Sequence, residues 1–241
     1  MARLNESRIS RVLGDSFGVR SSVRTVSSMH AQHGAALFIT LDAPMSVTDA
    51  RGERAIGRVL LVPPDLENSV HSEGPVIGIC YDPERLPRLA ARSRTSGTAQ
   101  ALDGRVARWL VEAAISHRAE LTNPDALCGI AQEAATQLAT EFAPRIDTRV
   151  AAIVEALRDP AEELPRLPIT RSHASELFVR DIGVSIRTYR LWRRLWRALL
   201  AFARTDATAA AHASGFADLA HFSRTCRRML GYSPTTLRDG L

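Results

Sequence analysis

Apolar residues in the first third of the chain fall in short runs separated by turn-forming stretches. The runs lie at 35–41, 56–62 and 76–81, and the stretches between them include 49–52 and 72–75, which are rich in Gly, Asp, Ser and Pro. Short apolar runs bounded by such residues are typical of strands. Several strands at this spacing predict a small β-barrel or sandwich.

The pattern becomes helical from about residue 99. Apolar positions recur three and four residues apart in 99–142 and again in 147–157, after a polar, proline-containing linker at 83–98. Asn123 and Pro124 form a typical start for the helix that runs to Phe142. The apolar faces of the helices between 99 and 142, one of which carries Trp109, can pack on the β region or form a dimer contact.

The last third contains two short helices joined by a glycine turn. An alanine-rich helix ends near Ser214, Gly215 supplies the turn, and Asp218 can cap the next helix. That helix has two faces. The predicted buried face holds Phe222, Cys226, Met229 and Leu230, and the opposite face holds His221, Arg224, Arg227 and Arg228. A second helix with an exposed basic face is typical of a helix-turn-helix that enters the major groove.

Charge is uneven along the chain and points to an anionic partner for the C-terminal part. The net charge is +5, but residues 160–241 carry 13 arginines against seven carboxylates, whereas residues 1–159 carry 18 against 19. This asymmetry favours a nucleic acid as partner. All 31 basic residues are arginine, which we attribute to a GC-rich genome.

Several other classes of protein are not indicated by the sequence. The three cysteines are scattered, so neither a disulfide framework nor a zinc site is expected. A bilayer-spanning run, a signal peptide and the common catalytic motifs are not found, and the expectation is a cytoplasmic protein that is not an enzyme.

The C-terminal motif resembles the second helix-turn-helix of the AraC/XylS family of bacterial transcription regulators. The resemblance rests on residues at fixed offsets: Ala211, Gly215-Phe216, Asp218, His221-Phe222-Ser223-Arg224, Arg227-Arg228, Gly231 and Ser233-Pro234. It extends upstream through Leu177-Phe178, Gly183 and Tyr189 to a long connecting helix at 189–200. The resemblance implies that Thr170 caps the recognition helix of the first unit and that Arg171, Ser172, His173 and Ser175 of that helix contact DNA. In the second unit it implies contacts by Leu219, His221, Ser223, Arg224, Arg227 and Arg228.

Two details of this region carry further expectations. Pro165 and Pro168 stand where the family has the supporting helix of its first unit, so that helix is expected to be short or distorted. In the connecting helix, Leu191, Leu195, Ala198 and Leu199 are predicted to form a buried stripe. Its arginines are predicted to form a solvated face: Arg190, Arg193, Arg194 and Arg197.

The resemblance implies an α+β protein with three regions. Residues 1–97 are expected to form a cupin-like β-barrel sensor domain, and residues 98–143 a helical connector that could dimerise. Residues 144–241 are expected to form an all-α double helix-turn-helix domain. The implied partners are double-stranded DNA and a small-molecule effector, with RNA polymerase and a second copy of the chain as further candidates; no membrane partner and no cofactor are expected.

The candidate effector residues come from the resemblance of the β region to cupins. His30, His33, Asn68 and His71 lie at or near the positions where cupins place metal ligands. Because Asn68 stands where the closing histidine is usual, no metal is expected, and the histidines are interpreted as polar groups at the barrel mouth. Two alternatives stay open, a metal-binding cupin enzyme with a DNA-binding tail and a ligand-free regulator whose β domain dimerises.

Overall fold

The computed structural model describes residues 10–14, 16–86, 97–142, 146–158 and 163–238. The strands are β1 (Ser10–Leu13), β2 (Phe17–Ser22), β3 (Thr25–Val26), β4 (Ala35–Thr40), β5 (Met45–Asp49), β6 (Arg54–Gly57), β7 (Val59–Val62), β8 (Asn68–Ser72), β9 (Val76–Tyr81) and β10 (Gln100–Ala101). The α-helices are α1 (Gly104–Ser116), α2 (Pro124–Phe142), α3 (Thr148–Ala156), α4 (Arg171–Ile182), α5 (Ile186–Phe202), α6 (Ala207–Ala213), α7 (Leu219–Leu230) and α8 (Pro234–Arg238). Short 3₁₀ turns lie at Pro83–Arg85 and Arg118–Glu120.

The N-terminal strands form two facing antiparallel sheets. One sheet has the order β1-β2-β9-β4-β7-β10 and the other β3-β8-β5-β6. Apolar side chains from both sheets meet between them, with Phe38 and Leu60 on one side and Val47 and Val70 on the other. The α+β class with a β-rich N-terminal domain and a helical C-terminal domain is confirmed.

The apolar run at 56–62 is not one strand. Its first part belongs to β6, which pairs with β5, and its second part is β7, which pairs with β4 in the other sheet. The chain changes sheets at Gly57 and Arg58, where a Cβ on Gly57 would lie 3.1 Å from the Ala101 Cβ. Ile56, next to this change of sheet, is 57% exposed. The apolar run did not predict the change of sheet, because hydrophobicity alone does not reveal where a strand leaves its sheet.

Helices α1 and α2 cover the outer face of the six-stranded sheet. Leu110, Leu127 and Ile130 lie in one buried cluster with Leu37 and Ile79 of the sheet. Of the two fates predicted for these helices, the structure therefore shows packing on the β domain. The sheet also continues past the predicted boundary at residue 97, since β10 pairs with β7.

The C-terminal helices form two small cores. One core joins α3 and α4 to the start of α5, and the other joins the rest of α5 to α6 and α7. Each helix begins at a side-chain cap where one was expected: Thr170 caps α4 and Asp218 caps α7. Within the described residues, no helix is long and apolar enough to cross a membrane.

Helix α5 is buried more completely than its sequence suggested. The stripe of Leu195, Ala198 and Leu199 is buried as expected, and Leu191 is half-buried. The prediction of a solvated arginine face is wrong for Arg197, whose Nε and Nη2 atoms are buried, and for Arg193, which is 9% exposed. Its guanidinium pairs with the buried carboxylate of Asp82 in the β domain. The periodicity of the helix could not reveal this, because the second buried face is created by docking between domains.

Candidate DNA-binding surface and interdomain cavity

The second helix-turn-helix unit is built from α6, a glycine turn and α7. Asp206 caps α6, and its carboxylate accepts hydrogen bonds from the backbone N–H groups of Thr208 and Ala209, both at 2.9 Å. Gly215 has φ +77°, the left-handed conformation that glycine adopts without strain. The Asp218 carboxylate then accepts a hydrogen bond from the His221 N–H at 2.6 Å, which starts α7.

Helix α7 presents its basic residues to solvent. Phe222, Cys226 and Met229 are fully buried against α5 and α6. The side chains predicted to contact DNA lie on the other side: Leu219, Arg224, Arg227 and Arg228 are exposed, and His221 and Ser223 are half-buried. The imidazole of His221 packs edge-on against Phe216, with ring centroids 5.2 Å apart. The arrangement leaves three guanidinium groups on an accessible helix face.

Among the described residues directly before α4, the first unit has no supporting helix. Residues 163–170, which include Pro165 and Pro168, contain no helix, and Leu167 and Ile169 instead pack against the core of the unit. The Thr170 hydroxyl accepts a hydrogen bond from the His173 N–H at 3.2 Å and thereby starts α4. The departure expected from the prolines is therefore seen, because proline supplies no N–H for a helix and its ring collides with the preceding turn.

The exposed face of α4 is nearly neutral. Arg171, Ser172, His173 and Ser175, which are predicted to contact DNA, are all exposed, but so is Glu176. Arg180, one turn further on, forms an ion pair with Asp181 at 2.7 Å. The first unit therefore offers much less positive charge to a phosphate backbone than α7 does.

Helix α5 docks the C-terminal domain onto the β domain through two stacked tryptophans. The rings of Trp192 and Trp196 lie 5.3 Å apart, and both side chains are buried. The Trp192 Nε1–H donates to Asp82 at 2.6 Å, and the Trp196 Nε1–H donates to the Gly14 carbonyl oxygen at 2.8 Å. Helix α7 adds a backbone contact, since the Ala31 N–H donates to the Arg228 carbonyl oxygen at 3.2 Å.

A cavity lies between the six-stranded sheet and the helices α5 and α7. Its empty volume is about 810 Å³, part of it open to solvent. Most of its wall is apolar and includes Phe38, Ile79 and Trp196. The remaining wall is polar: Arg11, Arg20, His30, Gln32 and Tyr232. A pocket that is mainly apolar with a few polar groups at one side is typical of small-molecule sites.

The polar side of the cavity is built around two arginines. Arg11 and Arg20 lie directly opposite each other on β1 and β2, and each guanidinium carbon lies 5.5 Å from the centroid of the Tyr232 ring. Arg20 also donates to the Tyr232 hydroxyl at 2.8 Å, and Arg11 donates to the Thr236 carbonyl oxygen. Like charges placed opposite each other are unfavourable, so this site is electrostatically suited to an anion.

Of the four predicted effector residues, His30 alone lines the cavity. Burial, and secondarily Arg20, lower the pKa of His30, although a hydrogen bond to the Ser28 carbonyl oxygen opposes this. His33 contacts Asp65, Asn68 is buried with its amide donating to Leu66, and His71 pairs with Glu73 on the outer surface. Among the described residues no three metal-binding side chains converge, so His30, His33 and His71 do not assemble the metal site that the enzyme alternative requires.

Sequence reasoning missed the residues that form the polar side of the cavity. Arg11 and Arg20 lie in strands that the apolar runs did not reveal, and their partner Tyr232 is more than 200 residues away in the sequence. Basic residues in β1 and β2 carry no motif. Contacts between residues this far apart in the sequence are set by domain docking, and no motif in the sequence indicated them.

Comparisons with known proteins agree with this architecture. A family model described as a helix-turn-helix domain matches residues 165–240, and this C-terminal region is a helix-turn-helix domain of the AraC type. No curated protein matches the chain significantly in sequence.

Solved structures share the fold over nearly the whole chain. ToxT from Vibrio cholerae O395 matches with a TM-score of 0.57 and 12% identity, covering 95% of this chain and 99% of that one. ToxT from strain SCE256, described as bound to an unsaturated fatty acid, matches with a TM-score of 0.54 and 13% identity, covering 96% and 98%. A third structure, ToxT bound to (E)-4-(8-methylnaphthalen-1-yl)but-3-enoic acid, has a TM-score of 0.55 and 11% identity over 93% and 99%.

Proposed function

We propose that the protein, whose C-terminal region is a helix-turn-helix domain of the AraC type, is a sequence-specific DNA-binding transcription regulator. The observation that carries the proposal is the exposed basic face of α7, set on the second helix of a helix-turn-helix by a left-handed glycine. An α-helix fits the major groove, where the guanidinium group of arginine can donate two hydrogen bonds to a base edge. Arg224, Arg227 and His221 are assigned to base or phosphate contacts, and Ser223 and Arg228 to phosphates, which position the helix without specifying sequence.

The test of this function is a binding assay with the full-length protein. Binding to the intergenic DNA upstream of its own gene is compared with binding to random DNA across a salt series. A regulator binds the upstream fragment in preference and loses affinity steeply as salt rises, because phosphate contacts release counterions. Weak and equal binding to both DNAs, with and without a ligand of the class proposed below, would count against a sequence-specific regulator.

The effector proposed for this regulator is a small carboxylate with an apolar body. The interdomain cavity offers an apolar wall for the body, and Arg11, Arg20 and His30 surround the place for the charged end. Arginine binds carboxylates through paired, charge-assisted hydrogen bonds. The ToxT structures described as bound to an unsaturated fatty acid and to a naphthalenyl butenoic acid support this class.

Effector binding would reach the DNA-binding helix directly. Tyr232 follows Gly231, the residue that ends α7, and it is held by Arg20 of the β domain. A carboxylate that bonds to Arg20 competes with the tyrosine hydroxyl for the same guanidinium. The expected consequence is a change in the position of α7 relative to the β domain. Contacts with RNA polymerase and with a second copy of the chain stay predictions.

A further inference from the structure

A second polar cluster lies at the domain interface, apart from the cavity. The 3₁₀ turn that follows β9 carries Asp82 at its start and Glu84 within it. Both side chains face the connecting helix α5, and they meet three of its residues: Tyr189, Trp192 and Arg193. The DNA-binding function proposed above makes no use of this cluster.

The two carboxyl groups have different partners. Asp82, which is 1% exposed, accepts hydrogen bonds from the Trp192 indole N–H at 2.6 Å and from the Arg193 guanidinium. Glu84 accepts a hydrogen bond through Oε1 from the Tyr189 hydroxyl at 2.7 Å. Its second oxygen, Oε2, is buried and has no hydrogen-bond partner among the described residues.

The cluster holds more acidic groups than cations. Arg193 is the cation that acts on both carboxyls, and Arg158, which pairs with Glu155, acts only on Asp82. Arg85 of the same turn donates to the Ser16 hydroxyl instead. Two ionised carboxylates beside one guanidinium are costly in a buried site, so one of them tends to keep its proton.

The proton is better placed on Glu84 than on Asp82. Burial raises the pKa of both groups, but Arg193 and the Trp192 N–H oppose this at Asp82. At Glu84, burial and the neighbouring Asp82 both act in the same direction, and its pKa rises to about 7 even though the Tyr189 hydroxyl bond lowers it.

Tyr189 connects this cluster to the first helix-turn-helix unit. Its ring is fully buried and packs edge-on against Phe178 of α4, with centroids 5.5 Å apart. The Glu84–Tyr189 hydrogen bond therefore joins the β domain to the core that holds α4 in place.

We propose that Glu84 is a proton-dependent latch between the β domain and the first helix-turn-helix unit. With the proton bound, Glu84 accepts a hydrogen bond from the Tyr189 hydroxyl, and Asp82 is the single negative charge in the cluster, so the domains are held together. Without the proton, two negative charges share Arg193 inside the interface, and docking weakens. The latch acts through the turn after β9 and α5, and the effector cavity is not part of it.

The direction and size of the effect follow from proton linkage. Glu84 has a pKa of about 7 when docked against 4.5 for an ordinary glutamate, so the docked state keeps the proton to higher pH. Docking is then fully supported below about pH 4.5 and weakens as pH rises toward the docked pKa. Between pH 6 and pH 8 the docking equilibrium falls about tenfold.

The experiment follows the Trp192 indole N–H signal of the full-length protein by NMR from pH 6 to pH 8, with the signal assigned by Trp192→Phe. The wild-type signal is expected to shift with a midpoint near pH 7, because its acceptor Asp82 lies beside Glu84. Glu84→Gln should abolish the transition, and Glu53→Gln, at an exposed glutamate in the turn between β5 and β6, should retain it. Tyr189→Phe should move the midpoint to higher pH, since it removes the hydrogen bond that lowers the pKa of Glu84.

A second measurement tests the energetic consequence independently of the spectrum. In urea unfolding, the wild-type unfolding constant relative to that of Glu84→Gln should increase about tenfold from pH 6 to pH 8. A flat ratio, an absent wild-type transition, or a transition that persists in Glu84→Gln would overturn the latch; the last result would assign the titration to a group other than Glu84. A midpoint that does not rise in Tyr189→Phe would overturn the role of Tyr189.

Discussion

Individual side chains determine what α7 can do with DNA. Arg224 is exposed and lies on the face away from Phe222, Cys226 and Met229. Its neighbour Arg228 lies one turn further along the helix, where its carbonyl oxygen is bonded to Ala31. Arg224 is therefore free to enter a groove, whereas Arg228 lies next to the β domain.

Replacing Arg224 with alanine is expected to weaken binding to the operator by about 1–3 kcal/mol if the guanidinium contacts a base. Binding to random DNA should fall much less. The measurement is a titration of labelled operator and random duplexes at one salt concentration. Arg105→Ala, on the exposed face of α1, is the matched control and should leave both affinities unchanged. An equal loss on both duplexes would make Arg224 a phosphate contact.

At Gly34, a close approach between domains depends on the absence of a side chain. A Cβ there would lie 2.6 Å from the Tyr81 carbonyl oxygen and 2.8 Å from the Trp192 ring. Because a backbone atom is one of the neighbours, the clash cannot be relieved by a side-chain rotation.

Gly34→Ala is expected to destabilise the protein by about 1–3 kcal/mol, the usual cost of overpacking a buried contact. Gly129→Ala is the matched control: no atom lies within 4 Å of its Cβ position in α2, and alanine should stabilise a helix interior by about 0.5–1 kcal/mol. Both values are obtained from urea unfolding. Equal stability of the two variants would contradict the tight docking of α5.

At the scale of elements, the two DNA-binding units are unequal. The second unit has both helices and an exposed basic face. The first unit has a non-helical segment at 163–170 in front of α4, and on α4 the exposed Glu176 offsets Arg171. Electrostatic attraction to phosphates is therefore concentrated on α7.

We expect Arg171→Ala to reduce operator affinity less than Arg224→Ala does, because α4 presents little net charge. The same titrations measure this, and a nuclease footprint adds a geometric readout. Protection centred on one major-groove segment fits a dominant second unit. Strong protection of two segments about 34 Å apart, together with equal losses for the two variants, would show that both units contact DNA equally.

On the scale of the whole molecule, domain docking creates the interdomain cavity. Strands β1 and β2 supply the two arginines, and the chain after α7 supplies Tyr232, so neither domain contains the site alone. A ligand bound there touches both domains, and its binding energy can shift the balance between docked arrangements.

Oleate, used as the probe below its micellar concentration, is expected to raise the melting temperature of the full-length protein, since a ligand of the native state stabilises it. Oleyl alcohol should have a much smaller effect because it lacks the charge. Arg20→Ala should weaken oleate binding, measured by calorimetry, by about 1.5–3 kcal/mol, the usual range for a hydrogen bond to a charged group. Arg24→Ala, an exposed residue paired with Glu73, is the control. Equal binding of acid and alcohol would contradict the carboxylate class.

Local chemistry was enough to predict the elements of the second helix-turn-helix unit and the broken first unit. Caps at Thr170 and Asp218, the left-handed Gly215 and Gly231, and the prolines at 165 and 168 act on their immediate neighbours, so their effects can be read from spacing alone. The buried and exposed faces of α7 follow from helical periodicity in the same way.

What only the tertiary structure decided is how distant segments meet. The division of 56–62 between two sheets, the burial of Arg193 against Asp82 and the pairing of Arg20 with Tyr232 all depend on contacts between residues that are remote in sequence or on a change of sheet. Periodicity shows that a face is apolar or charged, but it does not show which surface will cover that face. The sequence therefore determined the helices and their likeness to a DNA-binding domain. Docking of the two domains decided which residues line the interdomain cavity and which surround the carboxyl group of Glu84.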